Sequence, residues 1–150
     1  MRAAQATAKM KGPEIHNNKI VIPSDQELIA KVDEFVETRL RDRNIDDSII
    51  ADIAICATEV VNNGIIHGNK DDRSKTVTLE MVFSDGEVTI TVTDQGDFFD
   101  ANHIASPVDD ENLMREVGRG IFIVKNLMDQ VDIERANGGG TRVILIKKLK

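Results

Sequence analysis

From Leu28 to Leu40 the apolar residues Leu28, Ile29, Val32, Phe35, Val36 and Leu40 recur at intervals of three and four. That spacing predicts one helix with a single buried face, and Ser24 or Asp25 offers its N-cap. A second, more apolar helix is expected from Asp46 or Asp47 to about His67, with Gly68 as its C-terminal stop. Thr76 to Phe83 alternates instead, with Val77, Leu79, Met81 and Phe83 on one side and Thr76, Thr78 and Glu80 on the other. Ser84-Asp85-Gly86 reads as a hairpin turn, and Val88, Ile90 and Val92 continue the alternation from Glu87 to Thr93. Lys19 to Pro23 is a short strand ended by proline.

Regularity then lapses from Asp94 to about Val117, a length typical of a functional lid or an insert. Gly118-Arg119-Gly120 is expected to open a helix with Ile121, Val124, Leu127 and Met128 facing inward. Two strands follow, Val131 to Arg135 and Thr141 to Lys148, around a glycine-rich turn from Asn137 to Gly140. The order β-α-α-β-β-lid-α-β-β predicts an α+β fold, a two-layer sandwich. Its sheet would be mixed but mostly antiparallel, with the helices on one face. Met1 to Asn18 lacks periodicity and is expected to be a loosely ordered arm, leaving 19–150 as a single domain.

Composition narrows the partners. The chain has five Phe and neither Trp nor Tyr, so its core is aliphatic and it offers few platforms for stacking bases. A formal net charge of −7 argues against nucleic acid as the main partner. Cys56 is the only cysteine, which rules out an intramolecular disulfide and fits a packed thiol in a reducing compartment. Neither a signal-peptide hydrophobic region nor an apolar run of spanning length is read, so no membrane and a cytoplasmic location are expected.

Within the second helix, Glu59, Asn63 and His67 recur every fourth position as a polar stripe. Around them stand Ile53, Ala54, Ile55, Ala57, Val60, Val61, Ile65 and Ile66. Polar groups among so many apolar ones need partners, since unpaired burial costs several kcal/mol. Glu59 can pair with Arg39 or Arg43, or serve as a general base beside a metal-binding Asn63. His67, near the helix end, suits capping or support of a site.

Three further clusters lie at element joints. Asp94, before Gln95-Gly96, can simply end a strand, or accept a hydrogen bond from a base amino group while Gly96 leaves room for a flat ring. Gly118-Arg119-Gly120 can be a hinge, or can bind phosphate through exposed N–H groups at a helix start, aided by Arg119. Gly138 to Thr141 is most simply a hairpin turn. Neither a P-loop nor a dinucleotide-binding fingerprint is present.

Taken together and in this order, the clusters resemble the motif set of the GHKL (Bergerat-fold) ATPases. Glu59 through Gly68 is similar to their N box, Asp94-Gln95-Gly96 to the first glycine box, and Gly118-Arg119-Gly120 to the second. Gly140-Thr141 is similar to the last. The resemblance runs from about Ile20 to Lys150. The run Val61-Asn62-Asn63-Gly64-Ile65-Ile66-His67-Gly68 and the run Gly118-Arg119-Gly120-Ile121-Phe122-Ile123-Val124 look like the small serine kinases of bacterial partner-switching systems, the anti-sigma factors.

The resemblance implies ATP and Mg²⁺ as cofactors. Glu59 would be the base acting on a substrate hydroxyl, and Asn63 would hold Mg²⁺. Asp94 would read the adenine amino group, with Gly96 giving space and Thr141 helping through water. Gly118, Arg119 and Gly120 would cradle the phosphates, and His67 would lie near the phosphate end. It implies as partners a STAS-type anti-anti-sigma protein, phosphorylated on serine, and a sigma factor, with the kinase a homodimer. Phe98 stands where the family commonly has a second glycine, which bears on lid mobility and nucleotide affinity. The rival from another class is a non-catalytic, nucleotide-gated binding module; a third reading keeps the kinase chemistry but changes the target.

Overall fold

The computed structural model describes residues 12–97 and 111–149, with side chains described for 12–97 and 118–149. Phe98, Pro107 and the acidic residues Asp109 and Asp110 lie outside the described residues. Six strands form one sheet in the order β1-β2-β3-β4-β6-β5: β1 (Glu14–His16), β2 (Lys19–Pro23), β3 (Thr76–Ser84), β4 (Glu87–Thr93), β5 (Gln130–Arg135) and β6 (Thr141–Lys148). Every neighbouring pair is antiparallel, so the sheet is not mixed. Among the described residues three α-helices pack with it: α1 (Ile29–Arg41), α2 (Asp47–Asn63) and α3 (Glu111–Leu127).

The two layers meet along the alternating positions. Ile20, Ile22, Val77, Leu79, Met81, Val88, Ile90, Val92 and Leu145 are buried from the sheet side. Facing them are Val32, Phe35, Val36 and Leu40 of α1, Ile50, Ile53, Ala57, Val60 and Val61 of α2, and Ile121 and Val124 of α3. The β3–β4 hairpin closes on Asp85 (φ 44°) and Gly86 (φ 79°), the left-handed pair that a two-residue turn requires. Asp25 rather than Ser24 is the cap: its carboxylate accepts from the Glu27 N–H at 2.9 Å, at the start of a short 3-10 turn, Gln26–Leu28, that leads into α1.

Four expectations need correction. Glu14–His16 is a strand, not part of a loose arm; it pairs with β2 through a turn in which Asn17 takes φ 53°. Ile55 is 51% exposed and belongs to the outer surface of α2. The segment Asp47–Gly68 is long and apolar enough by composition to cross a membrane, yet half of that stretch is buried inside the domain. Last, α3 starts at Glu111, so Gly118-Arg119-Gly120 lies inside a helix and does not open one. Two glycines weaken a helix without stopping it when good formers such as Glu111, Leu113, Met114 and Glu116 precede them.

Candidate functional site

The end of α2 sets the site. After Asn63 the helix loosens into a π turn, Gly64–Gly68, closed by the Asn69 N–H bonding to the Gly64 carbonyl at 2.7 Å. Such turns recur at functional sites because the extra residue re-aims the side chains beyond it. Here it brings Gly64 and Gly68 against Asp94 at the end of β4: a Cβ on Gly68 would collide with the Asp94 carboxylate.

Asp94 is 7% exposed and forms the floor of a largely apolar pocket. Val60, Ile121, Ile133 and Val143 give it apolar walls, and Thr141 lies beside the carboxylate. The Gly96 N–H (3.0 Å) and the Thr141 N–H (3.1 Å) both donate to Asp94 Oδ1. Burial pushes the Asp94 carboxyl above its ordinary range, and those two backbone bonds pull only partly the other way. Gly140 (φ 84°) runs so close that a Cβ there would overlap the Asp94 carbonyl. Gly96 has a different reason for its missing side chain than room for a ring: a Cβ would overlap the Gly68 carbonyl, so backbone already fills that space.

Beside it lies a second, more polar pocket, the mouth, lined by Glu59, Asn62, Asn63, Ile66, His67, Arg119, Gly120 and Ile123. Asn63 and His67 line both, so the two pockets adjoin across these side chains. Glu59, Asn63 and His67 are half-buried, Arg119 is exposed and Gly120 is buried. A Cβ on Gly120 would come within 3.0 Å of Glu59 Cδ, so α3 presses its bare backbone against this carboxylate. Arg39 stacks on Phe35 and donates to the Asn17 carbonyl, and Arg43 stacks on Phe83.

Glu59, Asn63, His67, Asp94, Arg119, Gly120 and Thr141 line the two pockets, whereas Gly96, packed on the Gly68 carbonyl behind Asp94, and Gly118 line neither. Because Gly118-Arg119-Gly120 is interior to α3, its N–H groups are not the exposed ones of a helix start. Arg119 and Gly120 still reach the mouth, through side chain and close packing. Cys56 is fully buried in the core and burial pushes its thiol up to about 12, the behaviour of packing rather than chemistry.

Residues 22–147 match the family model described as the histidine kinase-like ATPase domain. An anti-sigma F factor of Clostridium botulinum (strain Eklund 17B / Type B) is 31% identical over 134 residues, covering 88% of this chain and 92% of that protein. The chain belongs to the GHKL family of histidine kinase-like ATPases, in its anti-sigma branch. A second anti-sigma F factor, from Geobacillus kaustophilus, is 30% identical over 130 residues, 84% of this chain and 86% of that one.

Two solved structures share the GHKL fold. The crystal structure of the RsbU and RsbW domains of Rv1364c from Mycobacterium tuberculosis gives a TM-score of 0.59 at 22% identity, over 93% of this chain and 32% of that one. The SiaB-SiaC complex from Pseudomonas aeruginosa gives 0.61 at 11% identity, over 97% of this chain and 95% of that one. Membership in this family implies ATP binding. The donor set fits: a buried carboxylate with apolar walls suits an adenine ring, and the polar mouth suits a phosphate chain. Among the described residues no three His, Cys, Asp or Glu side chains gather as a metal cage. Mg²⁺ on a nucleotide does not need one, since phosphates and water supply most of its ligands.

Proposed function

We propose that this protein is an ATP- and Mg²⁺-dependent serine kinase and anti-sigma factor. It phosphorylates a serine on a STAS-type anti-anti-sigma partner and holds a sigma factor when that partner is modified. The relatives named as anti-sigma F factors support the class of partner. The observation that carries the catalytic reading is that the two pockets adjoin. Asn63 and His67 stand between an apolar end, floored by Asp94, and a polar pocket lined by Glu59.

In this reading the adenine amino group donates to Asp94, with Thr141 beside it. Asn63 would supply an oxygen to Mg²⁺, which when bound would neutralise charge on the phosphates. Glu59 accepts the proton of the partner's serine hydroxyl as its oxygen attacks the terminal phosphorus and ADP leaves. Arg119, exposed at the mouth, is placed to meet charge that develops on the transferred group. His67 lines the passage between the two ends.

The test is incubation with γ-labelled ATP, Mg²⁺ and a candidate STAS partner. Label is expected on a partner serine, and Glu59→Ala is expected to bind ATP normally while transfer falls by about 10²- to 10⁴-fold. Equal labelling by the variant removes Glu59 from the mechanism. ATP binding without transfer by the wild type establishes instead the non-catalytic, nucleotide-gated module.

A further inference from the structure

Asn69 follows the π turn, is 1% exposed and belongs to none of the family-like boxes, yet both ends of its amide are hydrogen-bonded near the pocket floor. Its Oδ1 accepts the Gln95 backbone N–H at 2.8 Å. Its Nδ2 donates to the Thr76 carbonyl at 2.9 Å and to Ser24 Oγ at 2.9 Å. A backbone N–H can only donate and a carbonyl only accept, so these neighbours fix which end of the amide is which. Ser24 Oγ in turn donates to the Lys75 carbonyl at 2.7 Å. Gln95 is held a second time, by the Thr76 N–H donating to its side-chain Oε1 at 2.7 Å.

The consequence falls on Asp94. Gln95 is the residue after it, so the bond from Asn69 fixes the chain immediately beyond the carboxylate. The Asp94 N–H, bonded to the Thr141 carbonyl at 3.0 Å, fixes it immediately before. Lys70 and Asp71 directly after Asn69 adopt φ of 54° and 59°, an unfavourable conformation for non-glycine residues. The chain accepts that strain while reversing direction to leave Asn69 pointing inward.

We propose that Asn69 is a positioning residue for base recognition: through the Gln95 backbone it sets the aim of the Asp94 carboxylate, and so the preference for adenine over other purines. This rests on the adenine-reading role proposed above for Asp94. Ser24 provides the control. It lies in the same network but outside the pocket, and Ser24→Ala leaves both the Gln95 and the Thr76 bonds of Asn69 available.

The experiment compares binding of ATP and of inosine triphosphate, which lacks the amino group, to wild type, Asn69→Ala and Ser24→Ala. Binding is measured by calorimetry, well below each variant's unfolding midpoint. The expected result is a preference for ATP that drops about tenfold or more in Asn69→Ala and persists in Ser24→Ala. Should the alanine variant not fold, Asn69→Thr is read the same way; it fills more of the space with a side chain too short to keep all three bonds. An unchanged preference in the Asn69 variant, or an equal loss in Ser24→Ala, overturns the proposal. Absence of any preference in the wild type removes the adenine reading itself, and this inference with it.

Discussion

At the floor of the pocket backbone lies against backbone: Gly96 on the Gly68 carbonyl, Gly140 on the Asp94 carbonyl, and Asn69 tying both sides together. At the mouth, side chains lie against one another and against α3, with Glu59 touching Gly120 and Arg119 open to solvent. The floor cannot adjust without moving strand ends, whereas the mouth can adjust by turning a rotamer. Recognition of a flat, rigid group suits the first construction. Transfer between a nucleotide and a second protein, which needs groups that move, suits the second.

The sharpest way to break this contrast is to add one methyl group at each end. Gly96→Ala forces a clash between fixed backbone atoms and is expected to cost about 3 kcal/mol or to prevent folding. Thermal unfolding checks it, and a midpoint close to wild type would show that the floor is looser than its packing implies.

Next in size is Asp94→Asn, which keeps the shape of the floor but removes its charge and half of its acceptors. ATP affinity is expected to fall by about 1.5–3 kcal/mol by calorimetry, and unchanged affinity would end the base-reading role. The same residue gives a pH signature. Burial raises the Asp94 carboxyl, so protonation on acidification begins above the ordinary carboxylate range and removes the acceptor. Wild-type ATP affinity should therefore decline as pH falls into that range, and the Asp94→Asn affinity should not follow it.

Gly120→Ala is the matching change at the mouth. Its methyl meets the end of a flexible side chain, so Glu59 swings aside at little cost, and alanine favours the helix by about 0.5–1 kcal/mol. The expected outcome is an unfolding midpoint at or above wild type, with phosphoryl transfer down about tenfold. A fall in stability as large as that of Gly96→Ala would erase the distinction between the two ends.

The smallest effect lies away from both. Asp33 hydrogen-bonds Glu37 and its carboxyl is raised to about 6, chiefly by that bond, while Glu37 is lowered and also pairs with Arg41 at 2.6 Å. Between pH 4 and 6 the folded chain holds a proton on Asp33 that the unfolded chain has lost, so this carboxyl's contribution to stability declines as pH rises through that window. Asp33→Asn should flatten the decline in unfolding midpoint there without touching ATP binding.

Much of the fold was legible because alternation and helical spacing both concern burial, and burial is what the two layers impose. The helix faces of α1 and α2 and the β3–β4 hairpin follow directly from that. β1 was missed because three residues carry too little pattern; Asn17-Asn18, able to take a left-handed turn, was the available signal. The first turns of α3 were missed because two glycines were read as a helix start, although the acidic run at Asp109-Asp110-Glu111 is a common prelude to one. Around the pocket, most candidate residues that sit in a motif line its walls, Gly96 and Gly118 excepted. Asn69 and Ser24 were missed, since a single amide and a single hydroxyl acquire meaning only through partners distant in sequence. The π turn has no periodic signature at all.

One helix carries both the residue against the floor and the acid at the mouth. From Glu59 to Asn63 it rises about 6 Å, the π turn carries it on to Gly68, and because it is buried along one side it acts as a ruler. Under the proposed function, a nucleotide seated with its base on Asp94 would thereby be gauged for length. A triphosphate would extend toward Glu59, and a diphosphate would stop one phosphate short. The spent nucleotide would keep its seat while presenting nothing to the acid, so the same rod that would align the reaction would also tell substrate from product.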